Sequence, residues 1–123
     1  VQVKGQGYQI IYEPASATVF FRGLMRLHSA AEYAQIQEVM DQASASASPT
    51  ITLDLSELEY LNSLGLGRLH GFTSQWCEDE NKHIIVRGNS SVLWQARALK
   101  NLFKARPSIQ LDWVDAPTKP SKE

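Results

Sequence analysis

The stretch from Ile51 to Leu69, ITLDLSELEYLNSLGLGRL, changes its hydrophobic period part-way along. Ile51, Leu53 and Leu55 alternate with Thr52 and Asp54, the period-two signature of a strand with one better-buried face. A turn with an apolar plug at Leu58 follows, and then the polar pair Asn62-Ser63 opens a glycine-containing helix. Leu69, Phe72 and Trp76 recur at helical spacing after that pair, while Arg68, Gln75 and Glu78 supply a polar side. A strand that feeds a helix so directly is half of a strand-helix-strand unit, which predicts an α/β fold.

Downstream, Ile84-Ile85-Val86 is a short continuous apolar run ended by Gly88, expected as a central strand covered on both faces. Asn89 or Ser90 is placed to cap a third helix whose apolar residues Leu93, Ala96, Leu99 and Phe103 form one stripe. Pro107 stops that helix before a last strand, Ile109 to Val114. Upstream, Tyr8 to Glu13 and Thr18 to Arg22 are rich in Tyr, Ile, Val and Phe and flank Pro14-Ala15-Ser16-Ala17, a hairpin pattern. Ser29 and Glu32 have capping-box spacing ahead of a first helix with Tyr33, Ile36 and Met40 on its buried side. The Ser44 to Ser48 run, closed by Pro49, lacks anchoring side chains and reads as a short solvated connector.

The order is therefore β-β-α-β-α-β-α-β. Each strand-helix-strand segment calls for a right-handed crossover between parallel strands, and the first strand adds an antiparallel N-terminal edge. Residues 1–115 are expected as one domain and residues 116–123, with two Pro and three charges, as a frayed tail. A chain of 123 residues can bury one core without staples. In open sheets of this kind functional groups collect where loops leave the carboxyl ends of strands, which directs attention to Tyr60–Gly67.

Composition removes several function classes. Twelve Lys and Arg against thirteen Asp and Glu leave no basic field for nucleic acid. Cys77 is the only cysteine, so no internal disulfide can form and a reducing compartment fits. Val1 to Gln9 has no apolar stretch of signal-peptide length, and no run approaches the roughly twenty apolar residues of a membrane span, so a cytoplasmic protein without membrane insertion is expected. His28, His70 and His83 are scattered without ligand spacing, which points to no metal. GLGRLHG lacks the Lys-Ser/Thr of a phosphate loop and the third glycine of a dinucleotide fingerprint, so no cofactor is expected. A nucleophile elbow needs Gly two residues before its Ser, and Leu61 stands there, so no catalytic residue is assigned and the chain is not read as an enzyme. Trp76, Trp94 and Trp113 are expected in the core, and Arg97, Lys100, Lys104 and Arg106 as a cationic helix end that is solvated or, as the alternative, complements an acidic partner.

The 51–69 stretch resembles the STAS family, which includes the bacterial anti-sigma factor antagonists. That family's motif is an apolar strand carrying Asp, several residues, then Asp-Ser-Ser/Thr-Gly-Leu-Gly opening a helix. Asp54 looks like the strand Asp, Asn62 stands at the motif Asp, Ser63 at the phosphorylated Ser, Leu64 at the second hydroxyl, and Gly65-Leu66-Gly67 match. Gly23 resembles the family's Gly after the second strand. The resemblance implies phosphorylation at Ser63 and a partner surface of Asn62, Ser63, Leu64, Gly65, Leu66 and Arg68. It also implies an anti-sigma factor or serine kinase as partner, released on phosphorylation, and a cognate phosphatase.

Two departures bear on that expectation. Asn62 keeps an oxygen acceptor but loses the charge that would bind a metal-bound phosphate donor, and Leu64 removes a second acceptor while enlarging the apolar surface. Both suit an alternative, a constitutive adaptor or scaffold beside a transporter ATPase or in a signalling assembly, in which Ser63 is only a helix cap. Oligomeric state is not read from the pattern.

Overall fold

The computed structural model describes residues 2–4, 7–26, 28–45, 48–79, 81–103 and 109–114. Pro107, Lys104, Arg106, the 116–123 tail and part of the Ser44 to Ser48 run lie outside them. Among the described residues six strands and three α-helices follow in the order β1 (Gln2–Lys4), β2 (Tyr8–Glu13), β3 (Thr18–Met25), α1 (Ala30–Ser44), β4 (Thr50–Leu61), α2 (Ser63–Trp76), β5 (His83–Asn89), α3 (Leu93–Phe103) and β6 (Ile109–Val114). The strands form one sheet in sequence order, β1 to β6. β1, β2 and β3 are antiparallel neighbours, and β3 through β6 run parallel. The antiparallel edge is therefore β1, a strand further out than the hairpin read from sequence.

Sequence order has a geometric consequence. Right-handed crossovers that always step in the same direction deliver every helix to one face of the sheet. The packing agrees. Ile36 and Met40 of α1 and Leu69 and Phe72 of α2 meet Phe21, Met25 and Leu55. On β5, a side chain at Gly88 would run into Trp113 and into Gln95 of α3. Ile10, Val19, Phe21, Ile51, Leu53, Leu55, Ile84 and Val86 fill this face, and they alternate with residues on the opposite face. There Phe20, Asp54, Arg87 and Asp112 stand in one cross-strand row, with Arg87 3.5 Å from both carboxylates. Ile85 belongs to that opposite face and is half-buried, so β5 is covered on one side only, contrary to the expectation from its apolar run.

β4 is the longest strand at twelve residues, and its second half departs from the sequence reading. It is not a turn. The register against β3 shifts between Phe20 and Arg22 and again between Gly23 and Leu24, so β4 carries two bulges, while its pairing with β5 ends at Asp54. Each bulge inserts one residue and rotates the following side chain back toward the core, which is how Leu55, Leu58 and Leu61 are all buried at a spacing of three. Gly23 sits inside β3, not after it, with φ of 93°. A Cβ there would come within 2.3 Å of the Gly7 carbonyl oxygen, which accepts the Leu24 N–H at 2.8 Å.

The gap that opens between β4 and β5 is closed by side chains. Gln95, fully buried, donates to the carbonyls of Leu55 at 2.7 Å and Leu58 at 2.9 Å and accepts from the Asn89 N–H at 2.7 Å. Asn89 donates to the Ser56 carbonyl at 3.1 Å, and the Trp94 indole N–H donates to the Glu59 carbonyl at 2.9 Å. Asn89 also accepts from Ser91 N–H, so it shapes the turn before α3 and does not cap the helix directly. The α3 stripe is accordingly rotated: Gln95 and Leu99 are buried, whereas Leu93 is 88% exposed. Among the described residues no helix is long and apolar enough to cross a membrane.

Candidate functional site

The most distinctive loop leaves the carboxyl end of β4 and becomes α2 without an intervening coil. Its structure follows from Asn62, whose extended backbone (φ −78°, ψ 174°) places its side chain over the first turn. Asn62 Oδ1 accepts the Gly65 N–H at 3.0 Å, and its carbonyl accepts the Leu66 N–H at 3.0 Å. The Asn62 N–H in turn donates to the Met25 carbonyl at 3.2 Å, tying the helix start to the end of β3. Asn62, not Ser63, is therefore the N-cap. The motif position that lost its carboxylate keeps the acceptor oxygen that capping needs.

Freed of capping, Ser63 is the first residue of α2 and is exposed. Leu64 beside it is 57% exposed. Gly65 is buried, and a Cβ there would lie 2.2 Å from Leu61 Cδ1. That glycine lets α2 start tightly against β4, so its place is beneath the surface on which sequence had put it. Leu66 is half-buried against the core, while Gly67 is open. Arg68 is exposed, with its guanidinium 4.7 Å from the centre of the Tyr33 ring. The loop thus presents Ser63, Leu64 and Arg68 outward with the edge of Asn62, and turns Gly65 and most of Leu66 inward.

An anion at Ser63 would find the positive end of a fourteen-residue helix. The chain nearby supplies a cation that the sequence reading overlooked. Arg26 follows β3, whose Met25 pairs with Leu61, and stacks 5.2 Å from the centre of the half-exposed Tyr60 ring. No motif marks Arg26 or Tyr60. Only the β3–β4 register brings them to this end of the sheet.

The other candidates are structural. Trp76 is buried, stacks with Phe72 and donates its indole N–H to the His83 carbonyl at 3.0 Å. Trp94 and Trp113 are half-buried against the core. His28, His70 and His83 are exposed, and among the described residues no three ligating side chains gather as a metal site. The apolar cleft between α1, α2 and the sheet has an interior volume of about 30 Å³, room for one water and no organic ligand. At the start of α1, Ser29 Oγ accepts the Glu32 N–H at 3.2 Å, and Glu32 Oε1 accepts the His28 N–H at 3.1 Å. That backbone bond, helped by the Ser29 hydroxyl, holds the Glu32 carboxyl below its ordinary range.

No family model matches the chain, and no curated protein matches it either. Solved structures do. SiaC of Pseudomonas aeruginosa superposes with a TM-score of 0.69 at 13% identity, over 94% of this chain and 98% of that one. A chain from the complex of the diguanylate cyclase SiaD with its activator SiaC, from the same organism, gives 0.70 at 11% identity, over 93% and 99%. An anti-sigma factor antagonist from Mycobacterium paratuberculosis gives 0.54 at 18% identity, over 89% and 82%. The chain has a STAS-like fold. The architecture expected from the 51–69 stretch is thereby shared with proteins of very different sequence, and the order of elements is what they have in common.

Proposed function

We propose that this chain is a protein-binding regulator of the anti-sigma factor antagonist type, without catalytic activity of its own, whose docking surface is centred on Ser63. The observation that carries the reading is the helix start itself. Asn62 does the capping, which leaves the Ser63 hydroxyl exposed beside an exposed leucine. The unmodified surface offers an apolar contact at Leu64 to an anti-sigma factor or serine kinase. A phosphoserine adds about −1.5 to −2 charges, and that charge would have to be desolvated whenever an apolar partner face docked. The partner is then released, and a phosphatase restores binding. Because the Asn62 cap is independent of Ser63, the fold tolerates the modified state.

The test is incubation with the cognate serine kinase followed by phosphosite mapping. One phosphate at Ser63, none on Ser63→Ala, and loss of partner binding in Ser63→Asp are expected. Modification elsewhere, none at all, or unchanged affinity of Ser63→Asp would overturn the switch.

A second reading is favoured by the neutral Asn62 and by Leu64 at the second hydroxyl position. In it the same surface works as a constitutive adaptor, as SiaC serves as an activator of the diguanylate cyclase SiaD. Ser63→Asp would then leave binding intact while Leu64→Ala weakened it.

A further inference from the structure

Among the described residues three large apolar side chains are exposed: Tyr60 at 41%, Leu64 at 57% and Leu93 at 88%. They come from β4, α2 and α3, yet all three lie where chain leaves the carboxyl end of a parallel strand. The Trp94 to Glu59 hydrogen bond holds the start of α3 against the end of β4, so that Leu93 and Tyr60 are chain neighbours of the two bonded residues. Each apolar residue also has a cation of its own. Arg26 stacks on the Tyr60 ring. Arg68 follows Leu64, and Arg97 follows Leu93, by four residues, the spacing that places two side chains on one helix face. Leu93 and Arg97 line one shallow groove on α3. None of the three arginines has a carboxylate within 4.0 Å among the described residues, whereas Arg22 and Arg87 on the opposite face of the sheet are both paired.

We infer that the docking surface extends from Ser63 across to α3, and that its occupant is a protein face with apolar side chains flanked by Asp or Glu. This rests on the docking role proposed above. Exposed apolar groups supply the area that a partner covers, and arginines at their margins with no carboxylate beside them speed encounter and select acidic partners. The same chemistry gives phosphorylation a second effect, because a dianion at Ser63 competes with the partner's carboxylates for these cations.

The test places a photo-crosslinking benzoylphenylalanine at position 64 or 93 of the full chain in its host cell. The captured protein is then purified and its affinity titrated at several salt concentrations. Both positions are expected to capture one protein. Leu93→Ala is expected to weaken it by roughly tenfold, and Arg97→Glu to weaken it by at least about tenfold with a flatter salt dependence. Both residues are exposed, so an unchanged urea transition confirms that the variants fold. Capture at 64 but not 93, with Arg97→Glu neutral, overturns the extension and leaves the Ser63 reading standing. Weakening by Leu93→Ala and Arg97→Glu with no effect of Ser63→Asp overturns the switch and leaves the extended surface. Capture of a second copy of this chain, capture of nothing at either position, or binding to anionic lipid vesicles in place of a protein overturns the proposed occupant.

Discussion

Replacing Gln95 with Met should cost this fold several kcal/mol of stability. The side chain is fully buried and makes three hydrogen bonds of 2.7 to 2.9 Å, to the Asn89 N–H and to the carbonyls of Leu55 and Leu58. Met keeps the volume and removes all three partners. A buried polar group left unsatisfied costs about 1–3 kcal/mol, so three such groups together cost about 3–9 kcal/mol. That is a large part of the stability of a domain this size, about 6–18 kcal/mol at the usual value per residue. With a urea slope of about 1.5–2 kcal/mol/M, the unfolding midpoint followed by circular dichroism should fall by roughly 1.5–6 M. The loss should be local as well, with amide protection dropping first between Leu55 and Leu61, where β4 has no β5 partner. Gln95→Glu sharpens the test. The ionised carboxylate still accepts from Asn89 but faces two carbonyl oxygens, so its folded pKa is raised. A raised pKa means that the variant is least impaired below the unfolded value of about 4.3 and loses stability as pH rises through the folded value. A Gln95→Met midpoint within about 0.5 M of the parent's, or a Gln95→Glu penalty independent of pH, would show that these carbonyls do not depend on the amide.

Gly23→Ala should destabilise by roughly 2–4 kcal/mol in the same urea titration, because it combines a left-handed backbone with a Cβ 2.3 Å from the Gly7 carbonyl oxygen. Asn62→Ala should lose about 1 kcal/mol and Asn62→Asp close to none, since either oxygen can cap the Gly65 N–H; equal losses in both would remove capping as the role of this position. The Glu32 carboxyl, held low first by the His28 backbone N–H, strengthens the start of α1 above its unfolded pKa of 4.5 and ceases to as pH falls through the folded value. Amide protection at His28 and Glu32, corrected for intrinsic exchange, should fall over that acid range and show no such fall in Glu32→Gln.

The parts of the fold that sequence made visible are those in which one periodicity runs uninterrupted. Ile51, Leu53 and Leu55 announce β4, Ser29 and Glu32 announce α1, and Leu69, Phe72 and Trp76 announce the buried face of α2. The second half of β4 was illegible because two bulges convert a period of two into a period of three, which looks like a turn or a helix. β1 was missed because three residues carry no pattern, and only their register with Gln9, Ile10 and Ile11 defines them. Ile84-Ile85-Val86 suggested cover on both faces, yet the second face follows from strand order, a property of the whole sheet. The site shows the same division. The motif located Ser63 and Leu64 at an exposed helix start. It could not show that Asn62 takes the cap, that Gly65 is buried, or that Arg26 and Leu93 arrive from other elements.

These details bear on how a modification at Ser63 can act. Neither end of the loop is free to move: Asn62 is bonded to β3 behind it and to the first turn of α2 ahead of it. Further back, Gln95, Asn89 and Trp94 fasten the second half of β4 to α3 through backbone carbonyls. A phosphate on Ser63 would replace none of these bonds. A ligand shifts a conformational equilibrium only through a differential interaction with the two states, and none of the hydrogen bonds that fasten this loop runs through the Ser63 side chain. Under the proposed switch, regulation at this residue would therefore be electrostatic, exerted on the partner across a preformed surface. It follows that Ser63→Asp should leave the unfolding free energy from urea titration unchanged to within about 0.5 kcal/mol, as for other exposed substitutions. A variant that released its partner while also lowering the midpoint or the protection of α2 would instead require a loop that rearranges.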